Sequence, residues 1–203
     1  MVSGIIAGGD RALRFSVEGS EDSIENGIKD LDTFAPTPND IVVGISAGGG
    51  APYILALLEE SQKRGVKTVG LSSNPEAKLK AFSDVFINPI VGEEAITGSS
   101  RMKSGTAQKM ILNMLSTAAM VRIGKTYENY MVDVRVVNDK LHDRACRIIS
   151  EISRIPYESA ADYLERSGRK VKVACVMAAR GCSRQEAEDI LSKLGGVLRR
   201  VIG

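Results

Sequence analysis

Apolar residues fall along this chain in two rhythms. Up to about residue 126, short aliphatic runs alternate with longer stretches in which apolar residues recur every three or four positions. GIIAGG (residues 4–9), IVVGIS (41–46), KTVGLSS (67–73) and DVFINPIV (84–91) read as buried strands. Between them, residues 20–32 carry Ile24, Ile28 and Leu31 at helical spacing on an acidic background. FAPTPND (34–40) is a loop, residues 52–63 form a helix with Ile54, Leu55 and Leu58 inward, and residues 76–82 form a shorter one. Strands that alternate with helices of this length predict an α/β fold with a parallel sheet wrapped by helices.

The segment that follows SGTAQK spaces Ala107, Met110, Ile111, Met114, Leu115, Ala118 and Val121 by threes and fours. It predicts one long helix with a single buried stripe, its methionines filling core. From about residue 138 the pattern is helical throughout. Breaks at Ser167-Gly168, Gly181-Cys182-Ser183 and Gly195-Gly196 divide residues 155–203 into three short amphipathic pieces. Ser183 followed by Glu186 predicts a capping box on the last. The expected organisation is an α/β domain over residues 1–153 and a small helical subdomain over 154–203.

Composition narrows the function classes. A chain of 203 residues can bury one sizeable core, and 43% hydrophobic with 26% charged residues suits a soluble globular protein. The formal charge of +2 gives no electrostatic case for nucleic acid or an anionic membrane. Three cysteines (Cys146, Cys175, Cys182) without a CxxC pair read as reduced thiols, and with His142 the only histidine no metal-ligand set is expected. No signal peptide and no spanning apolar run appear, so a cytoplasmic protein is expected.

Three stretches carry the candidate chemistry. In IVVGISAGGGAPY, a strand runs into Ser46, three glycines and a proline fit for the first turn of a helix. Glycines let backbone N–H groups approach an anion closely, and a helix N-terminus adds its positive end. Ser46, Gly48, Gly49 and Gly50 are therefore candidate phosphate-binding residues, although the loop matches neither a Walker A sequence nor GxGxxG. A purely conformational role for these glycines stands beside that reading. TGSSRMKSGTAQK (97–109) brings hydroxyls and basic residues just before a helix, making Ser99, Ser100 and Lys103 weaker candidates against a simple capping turn. VEGSEDSIENG (17–27) is dense in carboxylates, most of them suited to a solvated helix start.

Taken together, AGGDRALRFSVEGSEDS, DIVVGISAGGGAPY, GLSSNP, VGEEAITGSSRMKSGTAQKMILNMLST and NYMVDVRVVNDKL resemble the N-acetylmuramic acid 6-phosphate etherases. These are sugar isomerase (SIS) domain proteins related to the glucokinase regulatory protein. The resemblance runs from about residue 4 to the C-terminus and implies a SIS-type three-layer α/β sandwich followed by a helical lid. It implies a cytoplasmic lyase of amino-sugar metabolism and peptidoglycan recycling, which splits the D-lactyl ether of N-acetylmuramic acid 6-phosphate into N-acetylglucosamine 6-phosphate and D-lactate. Elimination from the open-chain aldehyde needs a base beside the carbonyl and an acid for the leaving oxygen, but no metal or organic cofactor. The family's glutamate in VEG(A/S)E falls on Glu21, which resembles the base.

Two departures accompany the resemblance. The family carries a substantial segment before its GIIAGG strand, and this chain starts almost at that strand. That segment holds a first sheet strand, a first phosphate loop and the glutamate thought to be the general acid. A separate N-terminal polypeptide is therefore an expected partner, alongside a homodimer and a hexosamine 6-phosphate ligand. The second loop of the etherases usually reads like SASGRTPY, so that Gly48, Gly50 and Ala51 stand where a serine, an arginine and a threonine are usual. This loop leans toward the regulatory-protein pattern. An etherase, a non-catalytic sugar-phosphate-binding or regulatory module, and a degenerate product without function remain distinct readings.

Overall fold

Three parallel strands organise the first part of the chain: β1 (Ile41–Ile45), β2 (Lys67–Leu71) and β3 (Val85–Ile87), in the order β1-β2-β3. The structure is a computed structural model and describes residues 2–203. The register pairs Gly44 of β1 with Gly70 of β2. Both lie under helical elements at distances that exclude a side chain. A Cβ on Gly44 would meet Leu58 Cδ1 at 2.7 Å, and one on Gly70 would meet Ser83 Oγ at 2.3 Å. These two glycines let the helix α3 (Pro52–Lys63) and the 3₁₀ turn Lys78–Phe82 press directly on one face of the sheet. Leu58, Ala77 and Leu79 form the buried cluster between them, with Val42, Ile54 and Phe86 at its margin.

Helix α2 (Ile24–Phe34) packs along α3, and Leu31, Tyr53 and Leu57 bury together. Ser23 caps α2 by accepting the Asn26 N–H, and Ser20–Asp22 forms a separate 3₁₀ turn before it. The helix expected over residues 20–32 is thus two elements with a cap between them.

The strand expected over residues 4–9 is not formed. Residues 2–6 have no regular structure, Gly8 and Gly9 are left-handed, and a single turn α1 (Gly9–Ala12) follows. The apolar pattern of GIIAGG is real, but a strand exists only through hydrogen bonds to a neighbour, and among the described residues none is paired with it. Ile5 and Ile6 stay exposed, and β1 keeps an unpaired edge among the described residues.

Helix α4 (Lys103–Arg122) forms where the spacing placed it, yet its expected buried stripe is not buried. Ser104 is its one buried residue; Met110, Met114, Leu115 and Val121 are all more than 40% exposed. Periodicity sets which side chains share a face, whereas burial needs something against that face.

The second part builds a core of its own. After the short antiparallel pair β4 (Thr126–Tyr127) and β5 (Tyr130–Met131), five helices follow: α5 (Asp139–Ser153), α6 (Tyr157–Arg166), α7 (Val171–Arg180), α8 (Arg184–Lys193) and α9 (Arg199–Ile202). Helix α7 packs against α5, α6, α8 and α9, and Val171 and residues 173–177 are all buried. A helix apolar on most sides must be the centre of its bundle. The chain divides at Leu112/Asn113, within α4, rather than at the expected 153/154. The reason is α5, whose Ala145, Cys146, Ile148 and Ile149 share one core with Leu164, Val176 and Leu198.

The capping box at Ser183 is present: the Glu186 N–H reaches Ser183 Oγ at 3.4 Å and the Ser183 N–H reaches Glu186 Oε2 at 2.8 Å. These bonds hold the Glu186 carboxyl below the ordinary value of 4.5, so the cap is complete above that pH and fades as pH falls through the lowered value. Ser183→Ala should cost about 1 kcal/mol at neutral pH in urea titrations, with the difference from the parent shrinking in acid. Burial pushes the Cys175 thiol up to about 12, and Cys146 is equally buried, while Cys182 is half-buried. A chromogenic disulfide should therefore label Cys182 first in the native protein, with Cys146 and Cys175 reacting only on unfolding, as read by peptide mapping.

Candidate functional site

Three successive carbonyls in the turn after β1 are held by residues 72–79. Ala47 O accepts from Ser72 Oγ at 2.9 Å and from the Ser73 N–H at 3.2 Å. Gly48 O accepts from Asn74 Nδ2 at 3.1 Å, and Gly49 O accepts from the Leu79 N–H at 3.0 Å. Ser46 Oγ accepts the Gly49 N–H at 3.1 Å, closing the turn on itself. Among the described residues no acceptor lies within hydrogen-bonding reach of the N–H groups of Gly48, Gly50 and Ala51. Pro52 then opens α3, so the helix adds the positive end of its dipole without a competing N–H at its first position. Carbonyls tied inward and amides left open are the arrangement an anion cradle would need, and we term this turn the cradle.

The three glycines have different reasons to be glycine. Gly49 is buried with φ +71°, and a Cβ there would stand 2.2 Å from Ala77 Cβ and 2.8 Å from Ser72 Oγ. Its small size seats the turn against residues 72–77. Gly48 and Gly50 have nothing within 4 Å of an added Cβ. Their bareness leaves space open on the outer side of the turn, where an anion would approach. No cation lies among residues 46–53, so the turn itself offers only amides and the Ser46 hydroxyl.

Residues 72–74 couple the cradle to the second loop. Beside its bond to Ala47, Ser73 lies 2.7 Å (Oγ to Oγ) from Ser104 in the first turn of α4. Thr97, Gly98, Ser99, Ser100 and Arg101 line an open depression before that helix. Of the candidates there, Ser99 is half-buried and Ser100 and Lys103 are exposed. Lys103 Nζ donates to Glu93 O at 2.6 Å, so its ammonium is engaged within its own loop. Glu94 supplies what the sequence reading did not assign: its two carboxylate oxygens accept the N–H groups of Lys103 and Ser104, each at 3.0 Å. Those amide bonds hold the Glu94 carboxyl below the ordinary carboxylate range.

Glu21 occupies the 3₁₀ turn Ser20–Asp22, which lies against α3, the helix that begins at the cradle. The structure therefore brings the carboxylate-bearing turn and the Gly-rich turn to neighbouring elements. Glu21 is exposed. The packing that sets this neighbourhood is the α2–α3 contact. Gly27 of α2 faces Tyr53 O so closely that a Cβ would approach to 2.5 Å. Buried Tyr53 donates to Asp30 Oδ2 at 2.6 Å; its burial, and then the Asp30 carboxylate, raise the phenol above its ordinary range. An Asn, two serines, a Tyr–Asp pair and a glutamate thus support the candidate groups. Only the GLSSNP and VGEE motifs hinted at four of them.

Among the described residues no group of His, Cys, Asp and Glu could hold a metal ion. The profile of the glucokinase regulatory protein N-terminal SIS domain matches residues 1–62, and that of the C-terminal lid domain of glucokinase regulatory protein matches residues 128–173. The first match covers the 3₁₀ turn with Glu21 and the cradle; the second covers α5, α6 and the start of α7. An N-acetylmuramic acid 6-phosphate etherase of Yersinia pestis (strain Pestoides F) is 46% identical over 202 residues, all of this chain and 68% of that relative's length. The etherase of Yersinia pseudotuberculosis serotype O:1b (strain IP 31758) matches to the same extent. Identity at that level across the whole chain, through both the Gly-rich turn and the helical bundle, shows that this protein belongs to the N-acetylmuramic acid 6-phosphate etherase family.

Proposed function

We propose that the chain acts as an N-acetylmuramic acid 6-phosphate etherase-type lyase, releasing D-lactate and N-acetylglucosamine 6-phosphate in amino-sugar recycling. The observation that carries this reading is the cradle of Ser46, Gly48, Gly49 and Gly50, in which the Gly49 N–H closes the turn on Ser46 while the Gly48 and Gly50 amides stay open to an anion, with the Glu21 turn packed on the same helix. The substrate class is a hexosamine 6-phosphate. Its phosphate is held by the cradle amides and its sugar carbon chain extends toward Glu21, with Ser99, Ser100 and Lys103 as secondary contacts. Glu21 as carboxylate removes the proton on the carbon beside the open-chain aldehyde. The electron pair shifts toward the neighbouring carbon and expels the lactate oxygen, which leaves protonated by a general acid. Water then adds across the resulting double bond. The residues named for this chemistry need neither metal nor organic cofactor.

A second reading, a non-catalytic sugar-phosphate-binding or regulatory SIS module, is favoured by one feature. The cradle has Gly48, Gly50 and Ala51 in place of side-chain donors, and each charge-assisted bond lost weakens phosphate binding by about 1–3 kcal/mol. Such a module would bind the sugar phosphate without exchanging its proton.

For assembly we propose a homodimer, supported by the exposed apolar side of α4 and the unpaired edge of β1. Light scattering should give twice the chain mass of 21.8 kDa, and a clean monomer would remove the proposal. A cytoplasmic location follows from a phosphorylated sugar substrate; no described helix is long and apolar enough to cross a membrane.

The glycine geometry separates ligand contact from loop support. Gly50→Ala should leave the fold intact and weaken N-acetylglucosamine 6-phosphate binding by calorimetry. Gly49→Val should displace the turn itself, costing about 1–3 kcal/mol of stability as well as binding. A Gly49→Val protein that binds as tightly as the parent would rule the cradle out. For the chemistry, Glu21→Gln should abolish solvent deuterium uptake at the sugar C2 and lower lactate release by about 10²–10⁴-fold, because the amide cannot accept the proton. Unchanged uptake in that variant would assign the base elsewhere.

A further inference from the structure

Residues 92–103 hold no buried side chain. Packing therefore does not fix the loop that carries Thr97, Ser99 and Ser100, and its shape rests on hydrogen bonds. Within it the Ser99 N–H reaches Ile96 O at 3.0 Å, and Ser100 O accepts the Gly105 N–H at 2.9 Å. Three links tie its ends. Glu94 bridges the N–H groups of Lys103 and Ser104, Lys103 Nζ returns to Glu93 O, and Ser104 Oγ meets Ser73 Oγ. The Glu94 carboxylate and the Lys103 ammonium both span the whole loop, and the carboxylate is the one that joins its first residues to two amides in the first turn of α4.

We propose that Glu94 is a positioning residue for the ligand phosphate, its carboxylate closing the loop of residues 95–102 onto α4 so that Ser99 and Ser100 are presented in one arrangement beside the cradle. This rests on the sugar-phosphate reading above and adds two consequences. First, the N-terminus of α4 already holds an anion from its own chain. Two of its open amides are spent, and an incoming phosphate is directed to the amides of Gly48, Gly50 and Ala51, which are free. Second, Glu94 does not supply the proton for the leaving oxygen. A carboxyl held ionised by two N–H donors is a poor acid at neutral pH.

The test uses the full chain with Glu94→Gln, which keeps size but offers one acceptor in place of two, Glu94→Ala, and Glu94→Asp. Amide hydrogen exchange over residues 95–104 should rise roughly 10-fold or more in Glu94→Gln and Glu94→Ala and be partly restored in Glu94→Asp, with the sheet unchanged. Affinity for N-acetylglucosamine 6-phosphate should fall about 10-fold in step with that exchange, while the C2 deuterium-uptake rate at saturating ligand stays near the parent's. Unphosphorylated N-acetylglucosamine should show no such difference between parent and variants. Affinity unchanged despite a loosened loop would overturn the proposal. So would a fall of about 10²–10⁴ in saturating rate with affinity kept, since that is the signature of proton transfer. Loss of exchange protection throughout the sheet in both Glu94→Gln and Glu94→Asp would show a global structural role and overturn it too. Failure of the parent itself to bind the phosphosugar would instead overturn the sugar-phosphate reading, and the exchange contrast would still decide whether the clasp exists.

Discussion

The seating of Gly49 against Ala77 and Ser72 is the constraint on which the site depends. At 2.2 Å from Ala77 Cβ there is no room for even a methyl group, so the turn can approach residues 72–79 only because that position is bare. The approach allows Ser72, Ser73, Asn74 and Leu79 to take the carbonyls of Ala47, Gly48 and Gly49. Once those acceptors are turned inward, the remaining amides have no partner but a ligand or water. A buried serine, Ser72, thus acts at a distance: its hydroxyl satisfies a backbone carbonyl and so shapes the opposite side of the turn.

The two long helices of this unit meet anions in opposite ways. α3 begins with proline after an open turn, leaving its N-terminal field unoccupied. α4 begins with its own carboxylate across the first two amides. The same dipole physics therefore gives one end available to a phosphate and one end already neutralised. Between them, the Ser73–Ser104 hydroxyl pair makes the β2 loop a shared support.

The helical part reaches stability by a different route. Its core is centred on α7, whose residues 173–177 are all buried, and the surrounding helices present single stripes to it. Caps at Asn138 and Ser183 fix where α5 and α8 start. Surface ion pairs such as Arg184–Glu188 and Lys63–Glu59 decorate exposed faces and contribute little by comparison.

Local pattern by itself determined a good deal here. The α3 helix over residues 52–63, the breaks between α6, α7 and α8, and the capping box at Ser183 all depend on neighbours in sequence, as do the apolar runs of IVVGI and KTVGL that suit them to strands. Such features are set by spacing, glycine and proline punctuation, and short-range hydrogen bonds. Tertiary structure alone decided the rest. GIIAGG is as apolar as a strand, but a strand exists only once it is paired, and among the described residues no strand hydrogen-bonds to it. The stripe on α4 has the right spacing, yet among the described residues nothing packs over it, so Met110, Met114 and Leu115 remain exposed. The placement of α5 with the helical core, and the reach of Glu94 across ten residues to the Ser104 amide, likewise involve partners that no local window contains. Periodicity states what a segment can offer; only the fold supplies what lies opposite, because burial and hydrogen bonding are properties of pairs.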